Sequence, residues 1–258
     1  MAGAKIRLCV DRSLGAGQSL PLSEAQAHYL FGVMRLSPGA EVLLFNGRDG
    51  EWLARVAAAG KRGGSVECVE RTRAQTAPPD VWLLFAPVKK ARTDFIVEKA
   101  VELGAARLLP VQTDFTNAER LRRDKAEAHV REAAEQCEAL WLPEVGDLQP
   151  LSKLLAGWDP ARRLFWADEA TTDGEGENDR PGRSSSPAAL FAALPPGPAA
   201  LLVGPEGGFS PAERARLRAL PFVTPVALGP RILRAETAAL ALLTLWQAHL
   251  GDWRGDGA

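Results

Sequence analysis

Over its first 73 residues the chain alternates short apolar runs with turn-forming pairs. The stretch EVLLFNGRDGEWLARVAAA, 41–59, sets apolar runs on either side of Asn46-Gly47 and Asp49-Gly50, which predicts a β-hairpin. GGSVECVERT, 63–72, alternates apolar and polar positions as a half-buried strand does. Ser23 precedes a short helix-like segment, EAQAHYLFGVMRL, that stops before Ser37-Pro38-Gly39. Several short strands and one helix predict a small β-barrel.

RAQTAPPD, 73–80, has the composition of a linker, and the pattern changes after it. VWLLFAPV is a continuous apolar strand. A helix is predicted from about Thr93, with Ile96, Ala100 and Leu103 on one face and Gly104 as its stop. ARLLPVQ is a second strand. Asp124 and Glu127 have capping-box spacing ahead of the helix KAEAHVREAAEQCEAL. RLFWADE, LLVG and VTPVALG supply three more strands. Strands alternating with helices predict an α/β domain with a mostly parallel sheet covered on both faces. The polar, Gly/Ser-rich stretch 168–187 cannot bury a core and is expected to be a mobile surface insertion. The expected division is residues 1–73 and residues 77–258.

Composition narrows the picture less than pattern does. The chain has 258 residues, 46% of them hydrophobic, and a net charge of −1, so it is no bulk electrostatic binder of nucleic acid. Residues 1–73 hold ten basic and seven acidic side chains, a balance of +3 that would suit a phosphate backbone or be ordinary scatter. Cys9, Cys68 and Cys137 are widely spaced and form no CxxC pair, which supports neither a zinc site nor a disulfide framework. A reducing cytoplasm is the expected setting. The N-terminus lacks the apolar run of a signal peptide, and the apolar stretch Ala235–Leu250 carries Thr244, Gln247 and His249, too polar and short for a bilayer span.

The chemistry concentrates in LLVGPEGGFSPAE, 201–213. Ser210 as N-cap, Pro211 at the first helical position and Glu213 three residues after the cap predict a firm helix start. Gly207 and Gly208 allow backbone angles closed to other residues and a close approach of a ligand to the main chain. A phosphate-binding reading fails. No lysine follows as in a P-loop, no G-x-G-x-x-G is present, Pro205 removes an amide, and Glu206 would repel an anion. Backbone donors with one carboxylate suit a neutral or cationic ligand such as S-adenosylmethionine. A purely structural strand-to-helix turn remains the alternative on this stretch alone.

LGPRILRAETAALALLTLWQ, 228–247, repeats the order of strand, Gly-Pro, basic residues and helix. Arg231 and Arg234 stand at the unfavourable end of the helix dipole, which suggests that they face something anionic. The helix is apolar nearly all round, as at a subunit interface. Together the two segments resemble the SPOUT-class methyltransferases, specifically the RsmE-like family that methylates N3 of a uridine in small-subunit (16S) ribosomal RNA. HYLFGVMRLSPGAEVLLFNG resembles that family's PUA-like RNA-binding domain. VKKARTDFIVEKAVELGAARLLPV and AAEQCEALWLPEV resemble the first half of its catalytic domain. One departure is Ala139, where family members commonly carry arginine.

The resemblance implies a PUA-like barrel followed by a SPOUT α/β domain with a C-terminal trefoil knot at about 200–250, rare as knots are, and a homodimer through the last helix. It implies S-adenosylmethionine held by Val203, Gly204, Pro205, Glu206, Gly207 and Gly208 in one loop and by Leu228, Gly229, Ile232, Leu233, Arg234, Thr237 and Ala238 in the other. Uracil N3 must lose a proton before it attacks a methyl group. Arg231 and Arg234 are therefore candidates for stabilising the base anion or gripping a phosphate, and Glu236 or Glu98 for taking the proton. Glu98 paired with Lys99 or Lys89 is the plainer reading of that residue. Lys89, Lys90 and Arg92 are expected along the RNA path, and Arg7, His28 and Arg35 on phosphates, with His28 a satisfied, partly buried core histidine as the alternative. No metal is expected. A non-catalytic RNA-binding protein and a nucleoside-phosphate enzyme are the rival readings.

Overall fold

The computed structural model describes residues 6–60, 62–118, 120–168 and 186–254. Most of the stretch 168–187 therefore lies outside the described residues. The chain divides into two units, one reaching Ala77 and including Ala134–Leu142, the other formed by Pro78–Ala133 and the chain from Pro143 onward. The segment 134–142 was expected with the catalytic half. Its carbonyls are instead bonded to first-unit side chains, Ala134, Glu135 and Ala139 to Arg7 and Leu140 to Gln75.

In the first unit, β1 (Arg7–Cys9), β2 (Ser19–Pro21), β3 (Glu41–Phe45), β4 (Glu51–Gly60) and β5 (Gly63–Arg73) form one sheet in the order β1-β3-β4-β5-β2. The hairpin is the β3–β4 pair, with Phe45 opposite Glu51. Asn46 organises its turn: the side-chain oxygen accepts from the amides of Arg48 and Asp49, both at 2.9 Å. Gly47 and Gly50 take φ of 78° and 83° there. The Asn46 side-chain bond, followed by the Leu14 amide, holds the Asp49 carboxyl below the usual carboxylate range. Alternation sends Val42, Leu44, Ala54, Val56, Val66 and Cys68 into the core. Ser23 caps α1 (Glu24–Ala27) with Gln26 in a reciprocal box, and the chain continues as one π-helical turn, His28–Val33.

The three cysteines differ in access. None is in a disulfide; Cys9 and Cys68 are buried and Cys137 is exposed. Burial pushes the Cys68 thiol above its ordinary pKa, away from reactive thiolate. Titration of the folded protein with an aromatic disulfide reagent is expected to modify one thiol promptly, at Cys137, and all three only in denaturant. Prompt reaction at Cys68 would contradict this core.

The second unit carries β6 (Val81–Phe85), β7 (Arg107–Gln112), β8 (Glu144–Val145), β9 (Gln149–Pro150), β10 (Arg163–Ala167), β11 (Ala199–Val203) and β12 (Val223–Val226). The order is β12-β10-β11-β6-β7-β8, with β9 also on β7, and every pairing is parallel. The central strands are apolar on both faces, and all five residues of β11 are buried, as a doubly covered sheet requires. The helices are α2 (Lys90–Glu102), α3 (Arg123–Gln136), α4 (Leu151–Ala156), α5 (Pro187–Ala192), α6 (Pro211–Ala219) and α7 (Ala235–Leu250).

Two helix starts differ from expectation. α2 begins at Lys90, because the Thr93 hydroxyl bonds back to the Val88 amide and carbonyl rather than marking the first turn. α3 begins at Arg123 and has no Asp124–Glu127 box. Both carboxylates are taken by arginines instead, Asp124 by Arg122 and Glu127 by Arg123.

α7 packs on α2, α5 and β11. Its buried Gln247 donates to the Leu103 carbonyl at 2.7 Å, which satisfies a polar group with no exposed surface. Thr237, Leu240, Ala241, Thr244, Leu245 and Ala248 stay exposed or half-buried along its other side. No helix among the described residues is long and apolar enough to cross a membrane.

Candidate active site

β11 ends at Val203, and the next six residues turn the chain into α6. A Cβ on Gly204 would lie 2.6 Å from the Phe209 ring, so that glycine makes room for the protein's own side chain. The turn closes with the Gly208 amide donating to the Pro205 carbonyl at 2.9 Å, and Gly208 takes φ of 69°, the left-handed region. Phe209 packs edge-on to Trp166 with centroids 5.4 Å apart.

The start of α6 holds this turn still. Ser210 and Glu213 form the reciprocal box with Pro211 at the first helical position. Glu213 is nine-tenths buried and does more than cap. One oxygen accepts from the Ser210 amide and the other from the Asp114 amide, both at 3.0 Å. Asp114 in turn bonds the Ser210 hydroxyl. The loop after β7 is thereby fastened to the loop after β11.

The second wall follows β12. Gly229 takes φ of 104°, and residues 231–234 lead into α7, whose N-cap is Arg234 without a side-chain cap bond. Glu236 sits in the first turn, where the helix dipole favours a carboxylate. A pocket opens between the two loops, at the carboxyl ends of β10, β11 and β12. Ligand crevices of open parallel sheets lie at such strand ends.

Of the expected cofactor positions, Gly207 and Thr237 do not line this pocket; the others do, and Arg231 joins them. Gly207 backs onto Phe115 and Thr237 is exposed. Six lining residues went unanticipated: Ala167, Asp168, Phe209, Arg214, Val226 and Ala235. Asp168 is 2% exposed and accepts from Arg214 at 2.6 Å and Arg218 at 3.0 Å. Its only sequence signal was an acid directly after an apolar strand, absorbed there into the polar stretch that follows.

Other expected site residues lie elsewhere. Arg7 is 6% exposed and commits four of its five N–H donors to Glu51 and three backbone carbonyls, with Phe45 beneath it, so a buried guanidinium with one donor left is poorly placed for a phosphate. His28 and Arg35 are exposed, which removes the core reading of His28. Lys89 and Lys90 are exposed at the head of α2. Neither Glu98 nor Glu236 is among the residues that line the pocket, although Ala235, next to Glu236, is. Glu98 faces His129 at 3.3 Å rather than Lys99 or Lys89, and Lys99 pairs with Glu102. Arg92 is not free for RNA: it pairs with Glu206 and with Glu236, the latter at 3.4 Å. The negative charge expected of Glu206 is therefore compensated. Arg231 and Arg234 are exposed and make no ion pair among the described residues.

The lining is mostly apolar side chains and loop backbone, with two acids, Asp168 and Glu206, three arginines, of which Arg231 and Arg234 make no ion pair among the described residues, and no lysine. Such a set can hold an uncharged heterocycle and a diol against main-chain groups and keep a cation near carboxylates. It is a poor polyphosphate cradle. No group of three potential metal ligands occurs among the described residues.

Residues 75–247 match the family described as RNA methyltransferase domain, and residues 22–67 match the RNA methyltransferase PUA domain. The ribosomal RNA small subunit methyltransferase E of Bacillus subtilis is 30% identical over 240 residues, 90% of each chain. The protein of the same name from Rickettsia conorii is 28% identical over 238 residues, 92% of this chain and 93% of that one. A Legionella pneumophila methyltransferase solved with the cofactor S-adenosylmethionine superposes with a TM-score of 0.81 at 27% identity, covering 96% of this chain and 98% of the other.

Proposed function

We propose that this chain, which belongs to the RNA methyltransferase family of ribosomal RNA small subunit methyltransferase E, methylates N3 of a uridine in 16S ribosomal RNA. The family makes it an S-adenosylmethionine-dependent ribosomal RNA methyltransferase. The observation that carries the reading is the pocket between the 203–208 and 228–238 loops, lined by apolar side chains and loop backbone.

S-adenosylmethionine supplies an electrophilic methyl group on a sulfonium. On this reading the lining residues of Val203–Gly208 and Leu228–Ala238 hold it. Arg231 and Arg234, which line the pocket and make no ion pair among the described residues, stabilise negative charge on the uracil oxygens as N3 loses its proton. Glu236 is the proton acceptor, with one oxygen near Arg92 and Oε2 buried and without a hydrogen-bond partner among the described residues. The target uridine must be unpaired or flipped, since base pairing engages N3. His28, Arg35, Lys89 and Lys90 contact RNA phosphates. The exposed side of α7 joins a second copy as a homodimer, residues from about 200 to 250 thread as a trefoil, and the enzyme works in the cytoplasm.

Small ribosomal subunits lacking the modification, incubated with the protein and methyl-deuterated S-adenosylmethionine, are expected to yield labelled 3-methyluridine on nucleoside mass spectrometry. Label in another nucleoside would overturn the N3 assignment. Cofactor binding without label in any nucleoside would favour a non-catalytic RNA-binding protein.

A further inference from the structure

Arg92 stands in the first turn of α2, on neither of the loops that wall the pocket. Its Nη1 donates to the carboxylate of Glu206, in the first loop. Its Nε lies 3.4 Å from Oε1 of Glu236, in the helical end of the second loop, at the first turn of α7. One side chain from a third element therefore joins both walls.

We propose that Arg92 is a positioning residue, an ionic clasp that holds the two cofactor loops in register. The proposal rests on the cofactor reading above. A guanidinium can bridge two carboxylates because its donors diverge in a rigid plane, whereas an ammonium is a single point of charge. Among the described residues neither Glu206 nor Glu236 has another ion-pair partner. Removing Arg92 leaves two carboxylates, both within reach of one guanidinium, facing each other uncompensated. Like charges at that spacing repel, most strongly where burial limits screening. The Glu236 side chain is only 15% exposed, so it cannot turn freely into solvent. Among the described residues its Oε2 makes no hydrogen bond, and the Arg92 pair is the one polar contact found for this carboxylate. The two loops then part, and a ligand held by both loses its fit.

The test uses the full chain as wild type, Arg92→Gln, Arg92→Lys, Glu206→Gln and the Arg92→Gln/Glu206→Gln double variant. Hydrogen exchange on cofactor-free protein is expected to speed up in 204–209 and in 229–236 together on Arg92→Gln. The dissociation constant for S-adenosylmethionine is expected to rise about tenfold, or ~1.4 kcal/mol. Arg92→Lys, which reaches one carboxylate at a time, should recover part of that loss. The double variant should bind at least as well as Arg92→Gln alone, since neutralising Glu206 removes the repulsion that the lost guanidinium exposes and both changes break one contact. Unchanged exchange in either loop overturns the clasp. So does unchanged cofactor affinity, including the case where Arg92→Gln lowers only RNA affinity and its salt slope. Wild-type protein that binds no S-adenosylmethionine would sink the cofactor reading, while the exchange measurement still decides whether Arg92 couples the loops.

Discussion

Replacing Arg7 by methionine is expected to destabilise the first unit by about 3 kcal/mol, near the low end for a broken buried ion pair. The guanidinium has 4% side-chain exposure and the partner Glu51 has 5%, at a separation of 2.8 Å. Its other donors hold the Ala134 carbonyl at 2.6 Å and that of Ala139 at 3.1 Å. Methionine fills a similar volume over Phe45 but leaves Glu51 charged and those carbonyls short of a donor. The loss stays at the low end because Glu51 keeps the Thr72 hydroxyl at 3.0 Å and Arg73 at 3.7 Å. Adding Glu51→Gln should restore part of the stability, since it removes the orphaned charge. Urea unfolding followed by tryptophan fluorescence measures both, with Trp52 and Trp141 reporting on this unit. A phosphate-binding Arg7 predicts the reverse: stability within a few tenths of a kcal/mol and RNA affinity sharply reduced.

Arg7 also marks where sequence reading reaches its limit. The strands were legible because local signals agreed: period-two alternation in β4 and β5, unbroken apolar runs in β6 and β11, and Asn-Gly and Asp-Gly pairs at the hairpin. The place of residues 134–142 was not legible, because bonds between Arg7 and carbonyls more than a hundred positions away decide it. The α3 start was misread for a smaller reason. Asp124 and Glu127 have box spacing, but each has an arginine close in sequence, and charge pairing took both carboxylates before capping could.

The pocket divides along the same line. Its two loops announce themselves, because glycine and proline at strand ends are strong local signals and Ser210-Pro211 fixes the helix start. The residues that complete it meet only in three dimensions. Asp168 finds Arg214 and Arg218 across 46 and 50 positions, and Arg92 finds Glu206 across 114. In the sequence Arg92 sits in a basic run with Lys89 and Lys90 and reads as part of one charged patch. The fold separates them, leaving the lysines exposed and turning the arginine to the acids of both loops.

Gly208→Val is expected to lose at least 100-fold in affinity for S-adenosylmethionine while the protein stays folded. Gly208 lines the pocket and holds φ of 69°, a region that a β-branched residue occupies only under strain. That strain costs about 1–3 kcal/mol if the loop keeps its shape. If the loop relaxes instead, the Gly208 amide leaves the Pro205 carbonyl and Phe209 moves with it. Phe209 has little freedom, since its ring already fills the space above Gly204 and abuts Trp166. Either outcome alters the pocket wall, and a valine side chain adds bulk beside it. The fold should survive because the Ser210–Glu213 box and the Asp114 bonds lie beyond the strained residue. Gly208→Ala, without the branched carbon, should show the same pattern with a smaller affinity loss. Thermal melting and calorimetric titration with S-adenosylmethionine on one sample separate the two explanations of this glycine. A variant that melts lower by a few degrees per kcal/mol yet binds with wild-type affinity would make the segment a turn and nothing more.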